Sequence, residues 1–424
     1  MFDLFPRVIL SGRKTTLVIS GEGVPNGAKA HIVVYSMESY ATPHTVYLVD
    51  EQVCREPIEA TSEGGCIRFD FTPEGEQRHR VVCDLNGNRS EFELYSLKED
   101  LYRLNAYKGD THVHTTASDG LSSPLDTMIA YYAAGFDYIA ITDHHTYRDS
   151  AELARKVHGL KHFHVYPGEE VHNRGMGYFH IIGFGAEKSV NELINPREDE
   201  LFAEICSAKN EIAQRYGLPE GLDKSEFAFR VWVSQKIREF GGISVLCHPY
   251  WDAYGTYNMQ TEMLEFLLRN RIFDAFEVVD DTDGTGNGCN LQVAIYNEMR
   301  ASGIRIPIIG ASDCHDVRSA VFGKFFTYAF CNDVADVKEA VKNASTVAVE
   351  KIGDEYRVHG TFRLVKYARF IIDNFEPCER KLRAELAERL KTGIEEGDWK
   401  TVGKIEKEAV GYRNRFFGRS EPVS

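Results

Sequence analysis

The 424-residue sequence has no run of eighteen or more apolar residues, so no helical membrane span is expected. Its start, Met1-Phe2-Asp3-Leu4-Phe5-Pro6, lacks a basic segment followed by an apolar one, so no secretory signal is expected either. Positive charge is in deficit, with 49 Lys+Arg against 64 Asp+Glu and a formal net charge of −15. That balance repels a long polyanion such as duplex nucleic acid. A small phosphorylated ligand stays open, because local cations override net charge. No Cys-x-x-Cys pair occurs. The nine cysteines (54, 66, 83, 206, 247, 289, 314, 331 and 378) are scattered and read as reduced thiols of a cytoplasmic protein. Repeats and low-complexity tracts are absent.

What is present is the composition of a packed globular chain, 43% hydrophobic and 12% aromatic, long enough for two or three domains. Residues 1–104 carry short β-branched or aromatic runs at 8–10, 16–19, 31–35, 45–49, 67–71, 80–82 and 91–95. Turn residues such as Gly21-Glu22-Gly23 and Asn86-Gly87 separate them, which suggests a small β-sandwich. His31, His44 and His79 are isolated there and read as structural.

From about residue 105 to 365 the texture becomes strands alternating with helical stretches, with apolar strands expected at 136–142, 243–247, 275–279 and 306–310. Such a pattern implies a parallel sheet covered by helices, and polar clusters after strand ends favour a β/α barrel over a doubly wound sheet. Residues 187–227 interrupt the alternation as a helix-prone cap. Residues 366–424 read as a charged helical tail packed outside or at an interface, so an oligomer through the tail or the β module is open.

Five clusters carry chemistry. The first is His112-Val113-His114 followed by Ser118-Asp119-Gly120; two imidazoles two apart on a strand share a face. The others are Thr142-Asp143-His144-His145, then Pro167-Gly168-Glu169-Glu170 followed by His180, then Cys247-His248-Pro249, and Ser312-Asp313-Cys314-His315. A lone histidine at a strand end is usually structural. Converging this many imidazoles and carboxylates requires cations to offset desolvation. The donor count exceeds what one Zn²⁺ takes, so two or three divalent ions sharing a carboxylate are implied.

Taken in order, these motifs resemble the PHP (polymerase and histidinol phosphatase) superfamily of metal-dependent phosphoesterases over about residues 107–330. The resemblance implies a distorted seven-stranded β/α barrel. It assigns His112, His114, Glu170 and Asp313 to a first ion. Glu170 then bridges to a second ion held by His180 and His248, and Asp119, His144 and His315 hold a third. Family spacing selects Glu170 over Glu169, which points to the opposite face. His145 stands where relatives usually carry Asp or Asn and reads as a substrate or supporting contact. Mixed His/carboxylate ligation suits Zn, Mn or Fe.

The chemistry that follows is hydrolysis of a small phosphomonoester or phosphodiester by a metal-activated water. Arg174 and Arg318 are candidate phosphate clamps, the alternative being plain surface arginines. Cys247 and Cys314 flank ligands, but alternation is expected to turn them into the barrel wall; Ser312 reads as a supporting hydroxyl. His162-Phe163-His164 repeats the His-x-His spacing upstream of its strand end and reads as structural. The run 280–286 lacks both the Glu of a calcium loop (residue 292 is Gln) and the Lys of a P-loop, so it reads as a rim loop. Two other functions stay in play: a nuclease or nucleotidase on short oligonucleotides, and a non-catalytic metal-holding assembly module.

Overall fold

A computed structural model describes residues 2–38, 57–172, 179–253, 255–280 and 287–419. The chain divides into two compact units. One comprises Met1–Leu104, Phe370–Glu379 and Lys407–Ser424; the other comprises Asn105–Arg369 and Arg380–Glu406.

The first unit contains β1 (Phe2–Phe5), β2 (Val8–Leu10), β3 (Thr15–Gly21), β4 (Lys29–Ser36), β5 (Ile58–Thr61), β6 (Cys66–Phe71), β7 (Gln77–Leu85) and β8 (Asn88–Leu97), then the short α1 (Glu99–Tyr102). They form a three-stranded sheet, β1-β3-β6, and a five-stranded sheet, β2-β8-β7-β4-β5. Period-two patterning decides the faces. In β6, Ile67, Phe69 and Phe71 are buried while Arg68 and Asp70 are exposed. Leu17, Ile19, Ile67 and Phe69 from one sheet meet Ile32, Val34, Val81 and Leu94 from the other in one core. Asn86-Gly87 closes the β7–β8 hairpin with φ of 54° and 84°, the left-handed pair that a two-residue turn requires. β1 and β5 were not announced by the sequence, because each is short and interrupted by an acidic residue. The strand expected at 45–49 lies outside the described residues.

The second unit runs β9 (Asn105–Val113), α2 (Pro124–Ala133), β10 (Tyr138–Ile141), α3 (Arg148–Lys156), β11 (His164–Val171), β12 (Ile181–Phe184), α4 (Asn191–Ile194), a 3-10 turn (Asn195–Arg197), α5 (Glu198–Tyr216), α6 (Lys224–Glu239) and β13 (Ile243–Leu246). It continues through β14 (Asp252–Ala253), β15 (Thr256–Tyr257), α7 (Thr261–Arg269), β16 (Ala275–Val279), α8 (Asn287–Ala301), β17 (Ile308–Gly310), β18 (Phe325–Cys331), a second 3-10 turn (Val334–Asp336), α9 (Val337–Lys342), β19 (Thr346–Ile352) and β20 (Glu355–His359). Ten of these strands form one sheet in the order β17-β16-β13-β12-β11-β10-β9-β18-β19-β20, while β14 and β15 pair only with each other.

The sheet is mixed, not purely parallel as the alternation suggested. β9, β10 and β11 are parallel, as are β13, β16 and β17, but β11–β12, β12–β13, β9–β18 and β18–β19 are antiparallel. The segment between β11 and β12 is too short for a helical crossover, and that reverses the strand direction.

The sheet curls until its first strand meets the far side. Thr327 of β18 hydrogen-bonds both Gly310 N and Gly310 O, and Thr346 of β19 donates to Ile308 O. A Cβ at Gly310 would stand 2.6 Å from the Phe326 carbonyl oxygen, so only glycine allows this approach. Along the strands, Val171, Ile181, Leu246 and Phe276 pack into a large core with the helices, while Tyr166, Ile182, Val245 and Ala275 pack into a second core on the other face.

The chain then continues through α10 (Phe362–Asn374), α11 (Glu376–Glu396) and α12 (Trp399–Phe417). Parts of these helices belong to each unit. In the second unit, Arg383 pairs with Asp137 at 2.5 Å, both side chains buried. No described helix is long and apolar enough to cross a membrane.

Candidate metal centre

The side chains singled out by the motifs converge at the C-terminal ends of the parallel strands. His112 and His114 leave β9 on one face, both essentially fully buried. Asp119 follows on a loop pressed against that strand end, where a Cβ at Gly120 would come 2.5 Å from the His114 carbonyl carbon. Asp143 clasps this loop, accepting from Thr115 N and Thr115 Oγ1 at 2.7 Å each and from Ser118 Oγ at 2.6 Å. The next residue, His144, thereby faces Glu170, with which it forms an isolated parallel bridge.

Glu169 and Glu170 point to opposite faces of β11. Glu169 is buried against the start of α4, accepting from Val190 N, Asn191 N and Ser189 Oγ. Glu170 faces the centre. Its carboxylate is shared: Oε2 lies 3.3 Å from His112 Nε2 and 3.3 Å from His114 Nε2, while Oε1 lies 2.8 Å from His180 Nδ1 and 3.4 Å from His248 Nε2. Asp313 Oδ1 lies 3.1 Å from His112 Nε2 and 2.9 Å from His114 Nε2. Asp119 lies 3.7 Å from His144 Nε2 and 3.4 Å from His315 Nε2.

Among the described residues, three of the resulting donor groups contain carboxylates: His112, His114, Glu170 and Asp313; Glu170, His180 and His248; and His114, Asp119, His144 and His315. In each, one ligand atom per residue lies within 4.8 Å of all the others.

Several of these buried atoms have no hydrogen-bond partner, among them both ring nitrogens of His114 and His248, His144 Nδ1 and Asp313 Oδ1. Their separations are short, yet they lack hydrogen-bond alignment, as befits donors aimed at shared cations. The backbone is strained here as well. His145, His248 and Asp313 have φ of 56°, 24° and 50°, outside the usual range for residues with a side chain.

Electrostatics tell the same story. Burial opposes charge on His112 and His114, but neighbouring carboxylates outweigh it. Asp313, Glu277 and Glu170 hold His112 well above its ordinary pKa, and Asp313 with Glu170 pushes His114 up to about 9. Burial likewise opposes the charge of Glu170 and Asp313, yet both carboxyls are held well below the usual range by the histidines around them. His144 goes the other way, down to about 4, chiefly through burial. Buried carboxylates here require positive charge, and protons supply it where cations do not.

The remaining candidates are placed differently. His145 Nε2 lies 2.7 Å from His172 Nδ1, while the His145 carbonyl accepts from Asn195 at 2.8 Å. Arg318 is 73% exposed and engages Asp316 through Nε at 2.9 Å. Arg174 and residues 281–286 lie outside the described residues. Asp280 accepts from Gln292 at 2.6 Å, which gives the residue at 292 a local role. His164 opens β11 at the end opposite Glu170, its ring 4.2 Å from that of Tyr166.

Ser312 donates to Asp110, whose carboxylate also accepts from Tyr131 and from the His112 and Ser312 amides. Cys314 is buried beside the strand, as expected of a wall residue. Cys247 is a correction: it faces inward, with Sγ 4.0 Å from Glu170 Oε1 and grouped with His112 and His248. The positive φ at His248 breaks the alternation, so 247 and 248 both turn toward the centre.

Sequence reasoning missed Glu277. It is fully buried, with Oε2 3.1 Å from His112 Nδ1, so it sets the ring that presents Nε2 to Asp313 and Glu170. Burial lifts its pKa to about 7. Its signal was available: a carboxylate alternating with Ala275 inside an otherwise apolar strand.

No family model matches the chain. It is 36% identical over 85 residues to a 5'-3' exoribonuclease of Haemophilus influenzae, covering 19% of this chain and 30% of that protein. It is 39% identical over 67 residues to the DNA polymerase/3'-5' exonuclease PolX of Bacillus subtilis, covering 16% of this chain and 12% of that protein. Among solved structures, a two-domain protein containing a predicted PHP-like metal-dependent phosphoesterase from Bacteroides vulgatus is 19% identical at a TM-score of 0.40, covering 58% of this chain and 65% of that one. A putative metal-dependent phosphoesterase from Bifidobacterium adolescentis is 16% identical at a TM-score of 0.37, covering 56% and 96%. The chain thus spans less than a third of the length of either curated relative.

Proposed function

We propose that the chain is a PHP-superfamily hydrolase that cleaves a small phosphomonoester or phosphodiester at a centre of two or three divalent ions. The observation that carries this reading is the Glu170 carboxylate, whose two oxygens face different donor groups, as a bridging ligand requires. On this reading the curled sheet is the distorted barrel, and His112, His114, Glu170 and Asp313 hold the first ion. Glu170, His180 and His248 hold the second, and Asp119, His144 and His315 the third. The orphaned buried imidazoles fit that assignment.

Bound divalent ions supply a water of lowered pKa and a clamp on the phosphoryl oxygens. The chain's own residues prepare the place. Glu277 holds the His112 ring by Nδ1, Asp110 ties the His112 amide to Ser312, and Asp143 fixes the turn that carries Asp119. Asn191 Nδ2 donates to the Glu170 carbonyl at 3.0 Å, so the cap sets the backbone of the bridging residue. None of these groups is a nucleophile.

The test is hydrolysis of p-nitrophenyl phosphate and its bis ester with Mn²⁺ or Zn²⁺. Activity should disappear with chelator and in His112→Ala; turnover indifferent to chelation overturns the reading. A second reading, cleavage of short oligonucleotides, draws on the local identity to the two nucleases. Short single-stranded oligomers assayed against mononucleotides separate the two. Loaded protein that turns over neither class points to an assembly role.

A further inference from the structure

The three donor groups above leave one imidazole of the centre without a role. Side chains two apart on a strand share a face, and Glu170 is followed at that spacing by His172, just past the end of β11 at Val171. The His172 ring stands 4.9 Å from that of His180 and 5.7 Å from that of His144, centroid to centroid. A ligand atom from each of His144, His172 and His180 lies within 4.8 Å of the other two.

His145 explains how His172 is held. Their rings lie 4.4 Å apart, with His145 Nε2 2.7 Å from His172 Nδ1. His145 itself sits at φ 56° and is tied through its carbonyl to Asn195. A second histidine nitrogen bonded to a fixed partner sets the ring's tautomer and direction, the arrangement that orients metal-bound imidazoles.

We propose that His144, His172 and His180 form a further cation position at the edge of the centre, with His145 as its positioning residue, selective for Zn²⁺ over Mn²⁺. The selectivity follows from the donors. Of the other four groups, three contain a carboxylate, which suits Mn²⁺ as well as Zn²⁺, and the fourth brings the Cys247 thiol to His112 and His248; this one alone is built of imidazole only, and His172 belongs to no other group. It shares His144 and His180 with the groups around Asp119 and Glu170, so an ion here draws ligands away from them. Zn²⁺ beyond the amount needed for loading therefore inhibits. The proposal rests on the metal-centre reading above.

The test titrates the metal-free 424-residue chain with Zn²⁺ and with Mn²⁺ by calorimetry, with bound metal counted by mass spectrometry. Wild type should show a weak Zn²⁺ phase that has no Mn²⁺ counterpart and that coincides with loss of hydrolysis. His172→Gln should lose that phase while keeping the tight ones. His145→Asn should weaken the phase by about 10–100-fold, shifting the Zn²⁺ to Mn²⁺ preference, which a merely structural role would leave alone. Circular dichroism confirms that each variant is folded. A weak Zn²⁺ phase persisting in His172→Gln overturns the inference, as does its absence from wild type. If the tight phases are missing too, the metal-centre reading itself has failed.

Discussion

Both units bury histidine in a strand-built interior, and they do so to opposite ends. In the β module, His79 is fully buried and satisfied on both sides, with Nε2 2.8 Å from Ser96 Oγ and Nδ1 3.0 Å from Ser36 Oγ. An imidazole between two hydroxyls has both nitrogens satisfied. In the second unit, His114 and His248 are as deeply buried, yet their nitrogens have no hydrogen-bond partner and face carboxylates. Burial alone therefore does not mark a functional histidine. What marks it is a buried donor left unsatisfied beside a charge that needs neutralising.

The sharpest way to break this contrast is Glu170→Gln. It should abolish chelator-sensitive hydrolysis and lower bound metal per chain, because both oxygens of the bridge lose charge together. Retained activity would mean that Glu170 is a core carboxylate and nothing more. Next comes Glu277→Gln, which keeps the shape but removes the charge beside His112; metal affinity should fall by about 10–100-fold. Unchanged affinity would leave Glu277 as a buried packing residue.

The third test uses pH on metal-free protein. His114 is raised to about 9, above its ordinary range, so its stabilising contribution is complete below about pH 6.5 and is lost as pH rises through 9. Glu170 and Asp313, held low, are already charged across that window and add no slope. All three tryptophans (232, 251 and 399) lie in the second unit, so their fluorescence follows it alone. The melting temperature read this way should fall between pH 6.5 and 9, and added Mn²⁺ should flatten the slope while releasing protons. A flat metal-free profile sinks the prediction.

His79→Ala sharpens the other side. Leaving Ser96 and Ser36 without their partner should cost about 1–3 kcal/mol, with metal content and hydrolysis untouched. The smallest effect is expected for Arg318→Ala. Its exposed guanidinium engages Asp316, so melting temperature and kcat/KM should both stay at wild type. A large rise in KM would instead make it a phosphate clamp.

Much of the donor cluster was legible because its imidazoles and carboxylates arrive at strand ends in short, ordered motifs. The shared face of His112 and His114 follows from a period of two, which also sets Glu169 and Glu170 on opposite faces; the family resemblance then chose Glu170. Glu277 was harder to see, since one carboxylate in an apolar strand announces nothing until its partner on β9 is known. Cys247 was misplaced because alternation fails where His248 takes a positive φ. His172 carried a signal, the same two-residue spacing as the first pair, but no motif drew attention to it. The antiparallel pairings of β12 and β18 were hidden because connection length, not strand composition, sets direction.

The sequence by itself determined which donor types are present, their order, and the local periodicity that turns them to one face. The tertiary structure decided how those donors are shared: which oxygen of Glu170 serves which histidines, which carboxylate steadies His112, and which histidine steadies His172. The reason is physical. Ligation and hydrogen bonding depend on distances of a few ångströms between residues far apart in the chain, and only the curl of the sheet sets those distances.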